Sequence, residues 1–260
     1  MRKQALAATL AVFAAVAVAA CGGGEAPAPG GTATPAPGAA AAIDPASITD
    51  GATVNGSIAF AGDAPQAQVL QMAADPFCVS AHSGPVTAQR VVVNDNGTLR
   101  HVFVYVKEGL DQTFTVPTDA VEFSQEGCMY NPHVFGVRAR QTVTIVNNDT
   151  TLHNVNAQPA NNAAFNFAQP LEGMTNDQIF ANPEIMIPVM CNVHAWMQAY
   201  IGVVAHPYFA VTGEDGSFTI ANLPAGDYVI AAWHESMGEQ TQNVSVAANE
   251  TAEVSFSFGG

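Results

Sequence analysis

Apolar and polar residues alternate in short stretches along most of the chain, and no long stretch has the 3.6-residue period of a helix. Gly, Pro, Asn and Asp separate these stretches at intervals of about 8–12 residues. Asn94 to Gly97 contains an Asn-Gly pair and predicts a hairpin between residues 90–93 and 101–106. The pattern therefore predicts an all-β fold built from sandwiches, with further strands over residues 54–60, 141–146, 183–190, 217–220 and 228–230.

The N-terminus has the pattern of an exported protein. A basic start, Met1-Arg2-Lys3, precedes an apolar run that is too short and too Ala-rich for a membrane span. The end of the run, Val18-Ala19-Ala20-Cys21, resembles the bacterial lipobox, which implies that residues 1–21 are a signal peptide and that Cys21 is acylated. The alternative is an ordinary signal peptide. We expect an extracytoplasmic lipoprotein, anchored to a membrane in the periplasm or at the cell surface.

Residues 22–50 are rich in Gly, Ala, Pro and Thr and contain no aromatic residue. Such a composition cannot form a core and predicts a flexible linker between the anchor and the globular part.

The chain carries 22 acidic and 7 basic residues, and two of the basic residues, Arg2 and Lys3, belong to the signal peptide. This balance argues against nucleic acid as a partner. It would suit a basic protein partner that approaches by electrostatic steering, although the charge could also serve only solubility.

Four residues form the clearest chemical signal. Cys191, His194 and Met197 lie within seven residues, and His153 lies in an upstream Asn- and Asp-rich segment that predicts a loop. One thiolate, two imidazoles and a thioether are the ligand set of a mononuclear electron-transfer copper site. Structural zinc sites usually lack a thioether, so Met197 argues against zinc. The alternative is that Cys191 is a buried thiol and the other three are core residues.

Residues 121–204 resemble the cupredoxin family of small blue copper proteins. The resemblance rests on Tyr130-Asn131-Pro132, on the segment from Asn147 to Val155 and on the Cys-x-x-His-x-x-Met spacing. It implies a Greek-key sandwich over residues 119–206 that holds one copper ion. The implied equatorial ligands are His153, Cys191 and His194, and the implied axial ligand is Met197. It also implies that Asn154 links the two ligand loops and that His194 forms the edge at which a partner docks. Arg140 departs from the family, which often has Gly there.

A second resemblance is to the carboxypeptidase regulatory-like (transthyretin-like) family. Residues 212–228 contain Asp-Gly-x-Phe-x-Ile and Leu-Pro-x-Gly-x-Tyr signatures, and residues 56–60 look like the opening strand of the same unit. This implies a β-sandwich over residues 51–118 and 207–260, with the cupredoxin-like sandwich inserted into it or packed beside it.

Cys78 and Cys128 remain after Cys21 and Cys191 are assigned. In an oxidising compartment they could form a disulfide, which would stabilise the fold by roughly 3–4 kcal/mol in the chain-entropy model. They could also form a second metal site with His82 and His133, because each Cys has a His four or five residues later.

The expected function is single-electron transfer between extracytoplasmic redox partners, such as a cytochrome or a membrane electron-transfer complex. We expect no enzymatic activity, because the sequence shows no constellation of catalytic residues. The alternatives are copper storage or delivery, and a purely structural β-sandwich module.

Overall fold

The computed structural model describes residues 41–259, so the predicted signal peptide, Cys21 and most of the predicted linker lie outside the described residues. The predicted all-β class is confirmed. Within the described range, no helix is long and apolar enough to cross a membrane. A 3-10 helix (Pro45–Ser47) and one α-helix, α1 (Pro76–Ser80), accompany the strands β1 (Ala52–Ala61), β2 (Phe103–Glu108), β3 (Val121–Glu126), β4 (Met129–Asn131), β5 (Val134–Arg138), β6 (Thr142–Asn147), β7 (His153–Ala157), β8 (Phe165–Gln169), β9 (Thr175–Ile179), β10 (Glu184–Met190), β11 (Gln198–Val204), β12 (Phe209–Val211), β13 (Ser217–Leu223), β14 (Gly226–His234), β15 (Gly238–Val246) and β16 (Thr251–Gly259).

The first and last strands belong to one sandwich, which we call the outer sandwich. One of its sheets has the order β13-β1-β16 and the other has the order β12-β2-β14-β15. Buried and exposed residues alternate along β13 and β16, as expected for sheets with one face on a core and one face in water. The core between the sheets includes Ile58, Val104, Phe218, Ile230 and Phe256.

The strands from β3 to β11 form a second sandwich, the inner sandwich, which lies in the chain between β2 and β12. Its sheets have the orders β5-β11-β10-β7-β8 and β4-β3-β6-β9. Its core includes Phe123, Ile145, Val155, Val189 and Ile201.

The two sandwiches share a third buried cluster, centred on Phe103 of β2. The ring of Phe103 lies against two glycines of the inner sandwich, Gly136 on β5 and Gly202 on β11. A Cβ atom at Gly202 would lie 2.5 Å from Cζ of Phe103, so only glycine permits this approach. The buried Arg138 also joins the two sandwiches, since its guanidinium donates to the carbonyl oxygens of Phe114 and Ala205.

Residues 68–88, which we call the strap, differ from the prediction that they belong to the regulatory-like sandwich. Backbone hydrogen bonds between residues 70 and 86 and between 68 and 88 close the strap into a loop that contains α1. Met72 and Cys78 are buried in the inner core, and Phe77 packs against it. The strap therefore belongs structurally to the inner sandwich.

Two other segments differ from their predictions. Ile43 and Ile48, assigned to the linker, pack against the outer core, and Ile43 pairs with Phe114. The predicted turn at Asn94 to Gly97 forms, but its arms pair through a bridge between Val93 and Leu99 and residues 90–93 are not a strand. The strand predicted from residue 101 begins at Phe103, because His101 has a φ of 61° that interrupts extended backbone.

Candidate metal centre

Two neighbouring strands of the inner sandwich deliver the predicted ligands. His153 is the first residue of β7, and Cys191 follows β10, which pairs with β7. The loop from Cys191 to Met197 is closed by two backbone hydrogen bonds. The Cys191 amide donates to the Met197 carbonyl (3.1 Å), and the Met197 amide donates to the His194 carbonyl (2.9 Å). This tight turn brings Cys191 and His194 to the same side as His153.

The donor atoms of these three residues converge in the protein interior. The Nδ1 atoms of His153 and His194 lie 3.0 Å apart, and Sγ of Cys191 lies 4.0 Å from Nδ1 of His194. All three residues are no more than 3% exposed. One ligand atom from each residue lies within 4.8 Å of the other two, which is close enough for a single metal ion to contact all three.

A carboxylate engages the far nitrogen of each imidazole. Nε2 of His153 lies 2.8 Å from Oδ2 of Asp149, and Nε2 of His194 lies 3.0 Å from Oδ2 of Asp75. Since an ionised carboxylate only accepts hydrogen bonds, the network assigns the proton of each neutral ring to Nε2. Both Nδ1 lone pairs then face each other and the sulfur. Acceptors that converge in this way require a cation between them, either a proton or a metal ion.

The local environment favours the thiolate form of Cys191. Burial raises the pKa of its thiol, but hydrogen bonds from His153 and from backbone amides outweigh burial and lower the pKa overall. The amides of Asn154 and His194 both lie 3.4 Å from Sγ. A thiolate is the form that binds metal.

The two imidazoles differ in their proton affinity. Burial lowers the pKa of His194, and the carboxylate of Asp75 does not fully offset it. Burial also disfavours protonation of His153, but the hydrogen bond to Asp149 and the contact with Cys191 outweigh it and raise its pKa. His153 is therefore the ring that holds a proton most readily before a metal enters.

Asn154 and Met197 complete the loop structure. Oδ1 of Asn154 accepts a hydrogen bond from the Asn192 amide (3.2 Å), and its Nδ2 donates to the Phe167 carbonyl (3.0 Å). This side chain links the two ligand loops. Met197 is 0% exposed and belongs to the same buried cluster as Cys191.

The four residues considered for a second metal site do not converge on a common point. Cys78 and Cys128 are joined by a disulfide bond. His82 contacts the Gly127 carbonyl through Nε2 (2.7 Å), while His133 contacts Glu235 of the outer sandwich. Neither sulfur of the disulfide is available as a thiolate ligand, and both histidines contact other groups. These four residues therefore do not form a second metal site.

His194 does not form the exposed edge that the sequence resemblance implies. The residue is 2% exposed, because Asp75, Cys78 and Trp196 surround its side chain. The Trp196 ring centre lies 5.1 Å from that of His194, and its indole nitrogen donates to the Cys128 carbonyl (3.0 Å). A partner protein would therefore contact the residues that cover His194 and not the imidazole itself.

Sequence reasoning missed both carboxylates. Asp149 lies four residues before His153 in the loop that carried the prediction, so its position was a usable signal. Asp75 has only a local signal: an Asp before Pro76 is typical of a helix N-cap. Its contact with His194 spans 119 residues and could not be read from the chain.

The carboxypeptidase regulatory-like domain family matches residues 198–259. No curated protein matches the chain in a sequence comparison. Among solved structures, amicyanin from Paracoccus versutus is 22% identical, with a TM-score of 0.30, and the match covers 38% of this chain and 96% of amicyanin. A purple cupredoxin from Nitrosopumilus maritimus is 21% identical (TM-score 0.27), with 32% and 98% covered. A copper-containing nitrite reductase from Thermus scotoductus is 20% identical (TM-score 0.28), and the match spans 35% of this chain but only 25% of the reductase.

Proposed function

We propose that the protein binds one copper ion through His153, Cys191, His194 and Met197 and transfers single electrons. The observation that carries the proposal is the convergence of one donor atom each from His153, Cys191 and His194 in a buried space. Zinc would accept the same nitrogen and sulfur donors, but the thioether that Met197 adds to the ligand loop favours copper.

The chain supplies three properties that suit this role. Cys191 provides a thiolate with its charge stabilised by two amide hydrogen bonds. The carboxylates and Asn154 hold the ligand side chains in fixed orientations, so little rearrangement accompanies a change of charge. Burial excludes water from the donors. Copper bound there would supply one-electron chemistry by alternating between Cu(I) and Cu(II).

We also propose a redox partner and a cellular location for the protein. The acidic composition favours a basic redox partner, such as a cytochrome or a membrane electron-transfer complex. The lipobox-like segment supports an extracytoplasmic position with acylation at Cys21. The proposal is of an electron carrier and not of an enzyme.

The test is the visible spectrum of the metal-free protein after addition of one equivalent of Cu(II). We expect an intense thiolate-to-copper charge-transfer band in the parent and its loss in Cys191→Ser. Cys21→Ser is a matched control, because it also replaces a cysteine by serine but leaves all four proposed ligands in place. A parent spectrum without the band would contradict the proposal. Tight binding of colourless Cu(I) alone would indicate storage or delivery.

A further inference from the structure

We infer that Asp75 is a positioning residue of the metal centre. We also infer that the strap, which carries Asp75, covers the Nε2 side of the His194 ring. The inference rests on the proposed function only in treating His194 as a metal ligand. Its geometry is independent of which metal binds.

The carboxylate of Asp75 is held by three hydrogen bonds. Oδ1 accepts from the Phe77 amide (2.9 Å), as an N-cap of α1, while Oδ2 accepts from the hydroxyl of Thr151 (2.8 Å) and from Nε2 of His194 (3.0 Å). Thr151 lies two residues before His153. A single carboxylate therefore contacts one ligand directly and the loop of the other ligand through Thr151.

This arrangement determines which nitrogen of His194 faces the metal. With its proton on Nε2 and directed at Asp75, the ring presents the lone pair of Nδ1 toward Cys191 and His153. Without the carboxylate, the neutral ring could place its proton on Nδ1 and lose the ability to bind metal there. Asp75 thus selects the binding-competent tautomer.

The strap is fixed to the inner sandwich by the disulfide. Cys78 lies in α1, is 0% exposed and is bonded to Cys128, which follows β3. Its Sγ lies 3.6 Å from Nε2 of His194. The strap, the disulfide and Trp196 together enclose the imidazole, so metal exchange from this side requires the strap to move.

A strap that only covered a hydrophobic core would place apolar atoms against the imidazole. The strap does bury Met72 and Cys78 in that core, yet it turns a carboxylate toward His194. The Asp75 side chain is only 21% exposed, so its carboxylate has lost most of its contact with water. The hydrogen bond from Nε2 of His194 offsets part of that desolvation cost. That placement matches the carboxylate–histidine pairs that orient metal ligands.

The first test compares Asp75→Asn with Asp44→Asn. Asn remains a good N-cap, so its oxygen stays on the Phe77 amide and its NH₂ group meets Nε2 of His194. Two donors would then face each other, and the ring would move its proton to Nδ1. Asp44 is a matched control, because it also caps a short helix before a proline but lies far from the ligands in the sequence and contacts none of them.

The measurements are ¹⁵N NMR of the histidines in metal-free protein and Zn(II) affinity by competition with a chromophoric chelator. We expect the Nε2–H tautomer of His194 in the parent and in Asp44→Asn, the Nδ1–H tautomer in Asp75→Asn, and about 10–100-fold weaker Zn(II) binding in that variant. An Nδ1–H tautomer in the parent, or equal affinities of the two variants, would overturn the inference.

The second test removes the anchor of the strap with Cys78→Ala and Cys128→Ala together. We expect bound Zn(II) to pass to excess chelator faster than in the parent, and an unchanged rate would overturn the closure of His194 by the strap. Failure of the copper proposal is distinguishable, since it would appear as Zn(II) binding without the copper charge-transfer band. A parent that binds neither metal would overturn both.

Discussion

Glu235 of the outer sandwich and His133 of the inner sandwich form a buried pair, with Oε1 and Nε2 2.6 Å apart. Their side chains are 4% and 5% exposed. The other ring nitrogen of His133 lies 3.0 Å from the Gln198 carbonyl, beside the ligand loop. The pair therefore joins the outer sandwich to the strand that leaves the metal centre.

Removal of one partner of this pair is expected to destabilise the protein strongly. Glu235→Ala leaves a buried imidazole nitrogen without its hydrogen-bond partner, and such a loss costs about 1–3 kcal/mol of the free energy of unfolding. Chemical denaturation measures the change. Glu214→Ala is the control, because Glu214 forms an exposed salt bridge with Arg100 and should have a much smaller effect. Equal effects of the two variants would contradict the buried role of Glu235.

Gly202→Ala tests the contact between the sandwiches. The added Cβ would lie 2.5 Å from Cζ of Phe103, and such overpacking costs about 1–3 kcal/mol. Thermal denaturation should show a lower Tm, and Phe103→Leu should restore part of the loss in the double variant. Gly213→Ala is the control, since no heavy atom among residues 41–259 lies within 4 Å of its Cβ position. A Gly202→Ala protein with the parent Tm would refute the close approach.

Stability should fall as the pH is lowered from about 6.5 to about 4. Burial lowers the pKa of His234 to about 4 and that of His206 to about 4, from 6.5 in the unfolded chain. Below pH 6.5 the unfolded state therefore binds protons that the folded state does not, so the contribution present at higher pH is progressively lost. His234→Asn in chelator-treated protein should flatten the pH dependence by on the order of 2 kcal/mol. A slope equal to that of the parent would exclude His234 as a contributor.

Metal binding should release a proton from His153, because its pKa is raised above the usual value. Zn(II) affinity should thus increase as the pH rises through 6.5 and beyond. Asp149→Asn removes the charge that favours the protonated ring, so the affinity–pH curve should move to lower pH. Calorimetric titrations in buffers of different ionisation enthalpy measure the protons released. Asp177→Asn, at an exposed Asp–Thr contact on β9, should leave the curve in place.

Arg140→Gly should stabilise the inner sandwich. Arg140 is exposed and has a φ of 72°, a left-handed conformation that costs a non-glycine residue roughly 1–2 kcal/mol. The greater flexibility of glycine in the unfolded chain offsets part of that gain, so a net stabilisation of about 0.5–1 kcal/mol is expected. Arg140→Ala keeps the strain and should give no such increase. Denaturant midpoints for the two variants decide the matter.

The ligand loop could be predicted because its information is local. Cys191, His194 and Met197 lie on one turn, so their spacing alone places them together. The all-β class was likewise predictable, because strands such as β1, β6 and β13 alternate buried and less buried residues.

Other elements had too weak a local signal. Strand β9 has the sequence Thr-Asn-Asp-Gln-Ile, whose three central residues are polar and have low strand propensity, and it forms because it pairs with β6. The strap was assigned to the wrong sandwich, since Leu70, Met72 and Phe77 follow no strand or helix period. Its location depends on contacts with residues that lie far away in the sequence, the bond to Cys128 among them.

The parallel pairing of β1 with β16 joins the two ends of the described chain over nine residue pairs. The three-stranded sheet of the outer sandwich therefore cannot be completed until β16 has been synthesised. Strands β3 to β11 emerge earlier and do not depend on that event. During biosynthesis, the inner sandwich can thus acquire its structure first and serve as the surface on which the late-arriving ends are brought together.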